Sequence, residues 1–152
     1  MNLAGLSGLR VVVDECVWEL AAKSNHKAQA LLALLFVKRT KLVIDKEYEY
    51  CKRLLRKLES IRHSCAGSII HLLNSILRSH AIIDYKEPVN AEDAPKEDKL
   101  IAALSVVADV LITEDKKLRE WFQRKKLKTK VLTIDEALLT LTRGHSYTPS
   151  SS

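Results

Sequence analysis

Apolar residues along the chain follow two alternating patterns. Short continuous apolar runs predict β-strands that are buried on both faces, and these runs lie at 10–14, 41–44, 81–84, 109–113 and 130–133. Between them, leucine, isoleucine and alanine recur at three- and four-residue spacing, which predicts helices at 15–22, 26–38, 46–61, 68–79, 95–107, 116–125 and 135–141. Pro95 suits the first turn of the fifth helix, and Asp135 is the predicted cap of the last one.

Strands that alternate with helices are typical of α/β proteins. We therefore predict a three-layer α/β/α sandwich around a mainly parallel central sheet of about five strands, with right-handed crossovers. The 152 residues show no repeat and no linker, so we predict a single domain over 1–152. Its core is expected at about 10–141, followed by a polar tail at 142–152.

Cysteine usage and hydropathy indicate a cytoplasmic protein that is not bound to a membrane. The three cysteines are widely spaced and form neither a CxxC pair nor a zinc-ligand pattern. Reduced thiols in a reducing compartment are the expected state. The apolar stretch 28–37 is too short to span a bilayer, and the N-terminus carries no secretory signal pattern.

Four acidic residues lie where the predicted elements would bring them together. Asp14 closes the first predicted strand, and Asp115 follows the fourth. Glu49 and Asp98 lie in the first turns of predicted helices. The carboxyl ends of parallel strands meet at one edge of the sheet, where such proteins bind ligands. Clustered carboxylates there are suited to hold Mg²⁺ or Mn²⁺ against a phosphate group.

Each of these acids also has an ordinary structural explanation. Asp14 and Asp115 could cap the helices that follow them, and Asp98 could be favoured by a helix dipole. Glu49 could be a solvated helix residue, and Glu47 is equally available as the second acid. These explanations treat the acids one at a time, and none of them predicts all four at one edge.

The net charge of the chain is +6, with a pI of about 9.3. A basic surface around an acidic pocket suits a polyanionic substrate such as a nucleic acid, although charge alone can also serve only solubility. The candidate phosphate-binding residues are Lys116, Lys117 and Arg119. Further basic residues, Lys52, Arg53, Arg56 and Lys57, lie on the polar side of the predicted third helix. Trp18 and Trp121 are expected in the core.

Three segments resemble the PIN domain family. They are the strand and acid Val11-Val-Val-Asp14, the pair Glu49-Tyr50 with Leu54, and the stretch 98–118, in which an Asp and an Ala-rich helix precede Ala108-Asp-Val-Leu-Ile-Thr-Glu-Asp115. The resemblance implies a Mg²⁺- or Mn²⁺-dependent endoribonuclease, often a homodimer. Some members of the family are toxins with an antitoxin partner. It also implies that Asp14, Glu49, Asp98 and Asp115 are catalytic metal ligands, with Thr113 as a supporting group.

The sequence departs from the family pattern at two places. Glu15 and Cys16 follow the first acid where the family often has a small polar residue, and Glu49 lies earlier in its helix than the family's glutamate. These departures favour an alternative, in which a catalytically inactive PIN-like domain binds RNA or protein as an adaptor. A phospho-acceptor signalling domain is a weaker alternative, because no lysine is evident at the end of a late strand.

Overall fold

The structure of the protein, a computed structural model, describes residues 9–79, 81–85, 93–94 and 98–146. The strands are β1 Arg10–Val13, β2 Lys41–Asp45, β3 Ala81–Tyr85, β4 Val110–Ile112 and β5 Lys130–Leu132. The helices are α1 Glu15–Ala22, α2 His26–Val37, α3 Glu49–Glu59, α4 Ala66–Ser79, α5 Lys99–Val106, α6 Lys116–Lys125 and α7 Ile134–Ser146.

The strands form a sheet with the order β3-β2-β1-β4-β5, and every neighbouring pair is parallel. The predicted α/β class and parallel sheet are therefore confirmed, and the arrangement is compatible with a three-layer sandwich. The chain adds β2 and β3 on one side of β1 and then returns to add β4 and β5 on the other side. The gap between β1 and β4 is thus the switch point, where α/β proteins commonly bind their ligands.

The two strands at the switch point are apolar and buried, except for the exposed Arg10 at the start of β1. Val11, Val12 and Val13 of β1 are at most 1% exposed, and β4 is buried at every position. Branched side chains suit an extended backbone, and burial on both faces explains the continuous apolar runs. The rigid core of the sheet therefore ends directly at Asp14 on one strand and at Thr113 on the next.

Helix α3 begins later than the predicted start at Lys46. The Asp45 carboxylate closes the turn, because it accepts hydrogen bonds from the backbone N–H groups of Glu49 and Tyr50, each at 2.9 Å. Tyr48 precedes the helix in a left-handed conformation, with φ of 58°. The Asp45 side chain therefore caps α3, while Tyr48 holds the N-cap position.

Helix α7 differs from the prediction at both ends. Its cap is Thr133 and not Asp135, which lies inside the first turn. The Thr133 hydroxyl accepts from the Glu136 N–H at 3.2 Å, and the Glu136 carboxylate accepts from the Thr133 N–H at 3.0 Å, which forms a capping box. The helix continues to Ser146, so the predicted tail from 142 begins inside it. Residues 147–152 lie outside the described part of the chain.

A buried hydrogen-bonded chain joins α1, α3 and β1. The Trp18 indole N–H donates to the Tyr50 hydroxyl at 2.9 Å, and that hydroxyl donates to the carbonyl of Val13. Trp18 and Trp121 both lie in the apolar core, as predicted. The end of β1 is thereby tied to the helices that surround the candidate site.

Most of the connection between β3 and α5 lies outside the described residues, and so does the predicted helix start at Pro95. Within the described ranges, no helix combines the length and the apolar character needed to cross a bilayer.

Candidate metal centre

Three of the four predicted acids come together at the switch point. Oxygen atoms from Asp14, Asp98 and Asp115 all lie within 4.8 Å of one another. Asp14 follows β1, Asp115 follows β4, and Asp98 stands immediately before α5. Asp14 is buried, whereas Asp98 and Asp115 are half-buried. Three carboxylates from separate parts of the sequence thus share one point at the carboxyl edge of the sheet.

Thr113 connects two of these carboxylates. Its hydroxyl donates to Asp14 Oδ2 at 2.6 Å and accepts from the Asp115 N–H at 3.0 Å. Thr113 is fully buried and its own N–H donates to Leu132 of β5, so its position is fixed by the sheet. The hydroxyl therefore holds Asp14 at a set orientation relative to the start of α6.

Helix capping does not account for Asp14 or Asp98. Both occupy N-cap positions, yet neither carboxylate makes a capping hydrogen bond within the described α1 and α5. Asp115 does cap α6, because its Oδ1 accepts from the Leu118 N–H at 3.2 Å. The local explanation therefore applies to Asp115 alone, and it does not prevent Asp115 from also belonging to the cluster.

The Asp14 carboxyl group has an unfavourable environment when it is ionised. Burial raises its pKa above the ordinary value, and the charge of Glu15 adds to this effect. Hydrogen bonds from Thr113 and Cys16 act in the opposite direction without cancelling the burial. A divalent cation in the cluster would favour the ionised form.

Cys16 lies beside Asp14 as a protonated thiol. Burial, followed by the negative charge of Asp14, raises the pKa of Cys16 to about 12. Its Sγ is 3.5 Å from Asp14 Oδ2, to which it donates. The side chain is therefore a weak hydrogen-bond donor to Asp14. Without a bound metal it stays protonated and is not a thiolate.

Glu15 is buried against two cations from α3. Its Oε1 accepts from Arg53 Nη2 at 2.8 Å and from Lys57 Nζ at 3.3 Å. Its Oε2 is also buried and has no hydrogen-bond partner among the described residues. Lys57 lies in addition 3.8 Å from Glu19, one turn along α1. The paired charges place two basic side chains next to the carboxylate cluster.

These groups line one open cleft of about 640 Å³. Five acidic residues and two basic residues face it, so the cleft is acidic in a protein whose net charge is +6. The lining residues are Asp14, Glu15, Cys16, Glu19, Arg53, Lys57, Asp98 and Asp115. The excess of carboxylates favours a cation in the cleft.

Glu49 does not lie with the other predicted acids. Its carboxylate is not among those of the cluster, and Glu49 does not line the cleft within the described residues. Its side chain is 51% exposed and lies 3.9 Å from Arg56. Glu47, the predicted rival, is exposed in the turn before α3. The candidate phosphate-binding residues Lys116 and Lys117 are exposed at the start of α6, and Arg119 lies in a separate groove.

The sequence interpretation missed the role of Glu15 and of the basic pair. A signal for this pairing was present, because Glu15 and Glu19 are four residues apart on α1, and Arg53 and Lys57 are four residues apart on α3. Residues at this spacing share one helix face, so two such faces can match in charge. Only the packing of α1 against α3 reveals that they do.

The oxygen ligands in the cluster fit Mg²⁺ or Mn²⁺ better than a thiolate-binding metal. An ion that binds two oxygens at about 2.1 Å can hold them no more than about 4.2 Å apart. The three carboxylate oxygens of the cluster lie within 4.8 Å of one another. This spacing is compatible with an ion bound directly by two carboxylates and through water by the third. Mg²⁺ commonly keeps several of its waters in this way.

No protein-family model matches the chain, and neither a curated protein nor a solved structure matches it.

Proposed function

We propose that the protein is a Mg²⁺- or Mn²⁺-dependent endoribonuclease of PIN type. The observation that carries the proposal is the convergence of Asp14, Asp98 and Asp115 at the β1–β4 switch point. Acidic clusters are common on protein surfaces, but this one includes a buried carboxylate whose pKa is raised, and perturbed groups in clefts mark functional sites.

The charges around the cleft support an anionic substrate. Arg53 and Lys57 line the same cleft as the carboxylates. They offer donors for a phosphate group that lies against a metal-loaded triad. A phosphodiester backbone provides such a group at every nucleotide, and the net charge of +6 would attract a polyanion to the surface.

Each residue then has a role defined by its contacts. Asp14, Asp98 and Asp115 would hold the ion, while Thr113 orients Asp14 and Glu15 positions Arg53 and Lys57. When bound, the metal lowers the pKa of a coordinated water and neutralises charge at the scissile phosphate. Cleavage would leave a 5′-phosphate and a 3′-hydroxyl, as the resemblance implies.

The test is cleavage of a fluorescent single-stranded RNA in Mn²⁺ and in EDTA. We expect cleavage only with metal, and we expect Asp98→Asn to lower the rate by at least about 100-fold, because a metal ligand is lost. Calorimetric Mn²⁺ binding to both proteins should show that the same substitution weakens the metal site.

Two further variants make the test specific. Glu59→Gln removes an exposed carboxylate from α3 and should leave the rate unchanged. Glu49→Gln should also keep most of the activity, because its carboxylate lies outside the cluster. Undiminished cleavage by Asp98→Asn would refute the proposal. Metal binding without cleavage of any RNA would favour the inactive adaptor.

The resemblance also suggests wider properties that we propose on that basis alone. They are membership of the PIN family, a homodimer and an antitoxin partner. A cytoplasmic location is proposed separately, from the cysteine usage and the hydropathy of the sequence.

A further inference from the structure

A second groove, separate from the acidic cleft, lies between α6 and β5. Its volume is about 610 Å³. Four basic residues and one acid line it, namely Arg119, Lys126, Lys128, Lys130 and Glu136. The three lysines are exposed. The groove therefore has the opposite charge balance to the cleft.

The single acid in the groove is already engaged. Glu136 accepts from the Thr133 N–H in the capping box of α7. Arg119, in contrast, has a buried guanidinium Nε without a hydrogen-bond partner among the described residues. A buried donor of this kind is costly unless a ligand or water satisfies it. The groove thus combines excess positive charge with an unsatisfied donor.

β5 contributes Lys130 and Val131 to the lining of this groove. Lys130 donates its N–H to Asp109, and Leu132 accepts from Thr113, so these two residues bond toward the neighbouring chain segment. Val131, between them, directs its N–H and C=O to the outer edge. One outward residue is too little for an added peptide strand, but its N–H can serve a phosphate oxygen.

The groove also begins close to the metal centre. Asp115 lines the cleft, and Arg119, one helical turn further along α6, lines the groove. Four residues of helix rise by about 6 Å. A flexible strand that occupies the cleft could therefore continue around the first turn of α6 into the groove.

We infer that the groove between α6 and β5 is a binding track for the backbone of single-stranded RNA, outside the catalytic cleft. This inference rests on the proposed function and adds to it a second site for the same substrate. Arg119, Lys126, Lys128 and Lys130 contact phosphates, and contacts of this kind position the strand without reading its sequence.

The test measures binding without cleavage. In an Asp98→Asn background, fluorescence anisotropy follows a fluorescein-labelled single-stranded oligoribonucleotide over a series of KCl concentrations. The groove variant carries Lys128→Gln and Lys130→Gln. The matched control carries Lys23→Gln and Lys41→Gln, which remove the same charge at exposed positions elsewhere, Lys41 being the first residue of its strand as Lys130 is.

We expect the groove variant to bind about tenfold more weakly, with a salt slope reduced by about 1.4, since each phosphate contact to a single strand contributes about 0.7. The control should change far less. Equal losses in both variants would overturn the inference, and so would groove-dependent binding of polyglutamate in place of RNA. Groove-dependent RNA binding by a protein that cuts no RNA would support the track while refuting the nuclease.

Discussion

At the scale of single residues, Asp14 shows a conflict between stability and the proposed function. Its carboxylate is 4% exposed and borders Glu15, so ionisation in the folded protein is unfavourable. Because its pKa is raised in the folded state, the stability from its protonation is complete below the unfolded-state pKa. That stability is lost as the pH rises through the folded-state pKa. At neutral pH without metal, the ionised Asp14 carboxylate therefore lowers the free energy of unfolding.

The substitution Asp14→Asn should relieve this cost. We expect the free energy of unfolding at pH 7 in EDTA to increase by about 1 kcal/mol, with a Tm higher by about 3 °C. The amide oxygen can still accept from Thr113. Thermal denaturation followed by circular dichroism measures the difference.

The difference should depend on pH and on metal. It should shrink as the pH falls and the native carboxyl group becomes protonated, and Mn²⁺ should stabilise the wild type more than the variant. A variant less stable than the wild type in EDTA at pH 7 would contradict this account of Asp14.

At the scale of the elements, the helix starts decide which acids reach the site. Asp45 uses both carboxylate oxygens to cap α3, so the helix begins at Glu49 and exposes half of that side chain. α3 in turn carries Arg53 and Lys57 into the cleft. Asp45 does not line the cleft, but its cap fixes the start of the helix that brings Arg53 and Lys57 there.

Removal of this cap should destabilise the protein. For Asp45→Ala we expect a loss of about 2 kcal/mol in the free energy of unfolding, because the buried N–H of Tyr50 and the partly buried N–H of Glu49 lose their acceptor. Urea denaturation at constant pH gives the value.

The neighbouring exposed acid provides the control for this substitution. Glu47→Ala should change the free energy of unfolding by less than about 0.5 kcal/mol. Similar values for the two variants would mean that the contacts of Asp45 do not stabilise α3.

The positions of strands and helices made some of the site residues predictable from the sequence and left others unpredictable. Asp14 and Asp115 could be placed because buried strands end directly before them, and parallel strands align their carboxyl ends. Asp98 followed from its position at the start of a helix. Glu49 was placed at the site from its position in the first turn of a helix, but that position does not fix the direction of its side chain, which is 51% exposed and outside the cluster. Glu15 was missed because its partners come from another helix, and no local pattern reveals which helix faces meet.

At the scale of the whole molecule, the Tyr50 hydroxyl links the helices α1 and α3 to the end of β1. It accepts from Trp18 of α1 and donates to Val13 of β1, and all three residues are buried. This contact lies directly behind Asp14. It therefore couples the global packing of α1, α3 and β1 to the geometry of the metal centre.

Loss of this hydroxyl should weaken the whole fold. In Tyr50→Phe, the Trp18 N–H and the Val13 carbonyl lose their buried partner, so we expect a loss of about 2 kcal/mol in the free energy of unfolding. Urea denaturation again provides the measurement. Tyr48→Phe, at a 47% exposed position, is the matched control and should have little effect. Equal stability of the two variants would show that the buried chain contributes nothing.

The order of the strands also bears on the synthesis of the protein. Asp14 and Thr113 share a hydrogen bond across 99 positions of sequence, and Asp115 comes later still. A chain emerges from the ribosome with its N-terminus first, so β1 emerges long before its neighbour β4. Until then the nascent chain holds Asp14 without Asp115. If the protein cuts RNA as proposed, the ribosome, which is itself built largely of RNA, carries an inactive enzyme until Asp115 has been added to the chain.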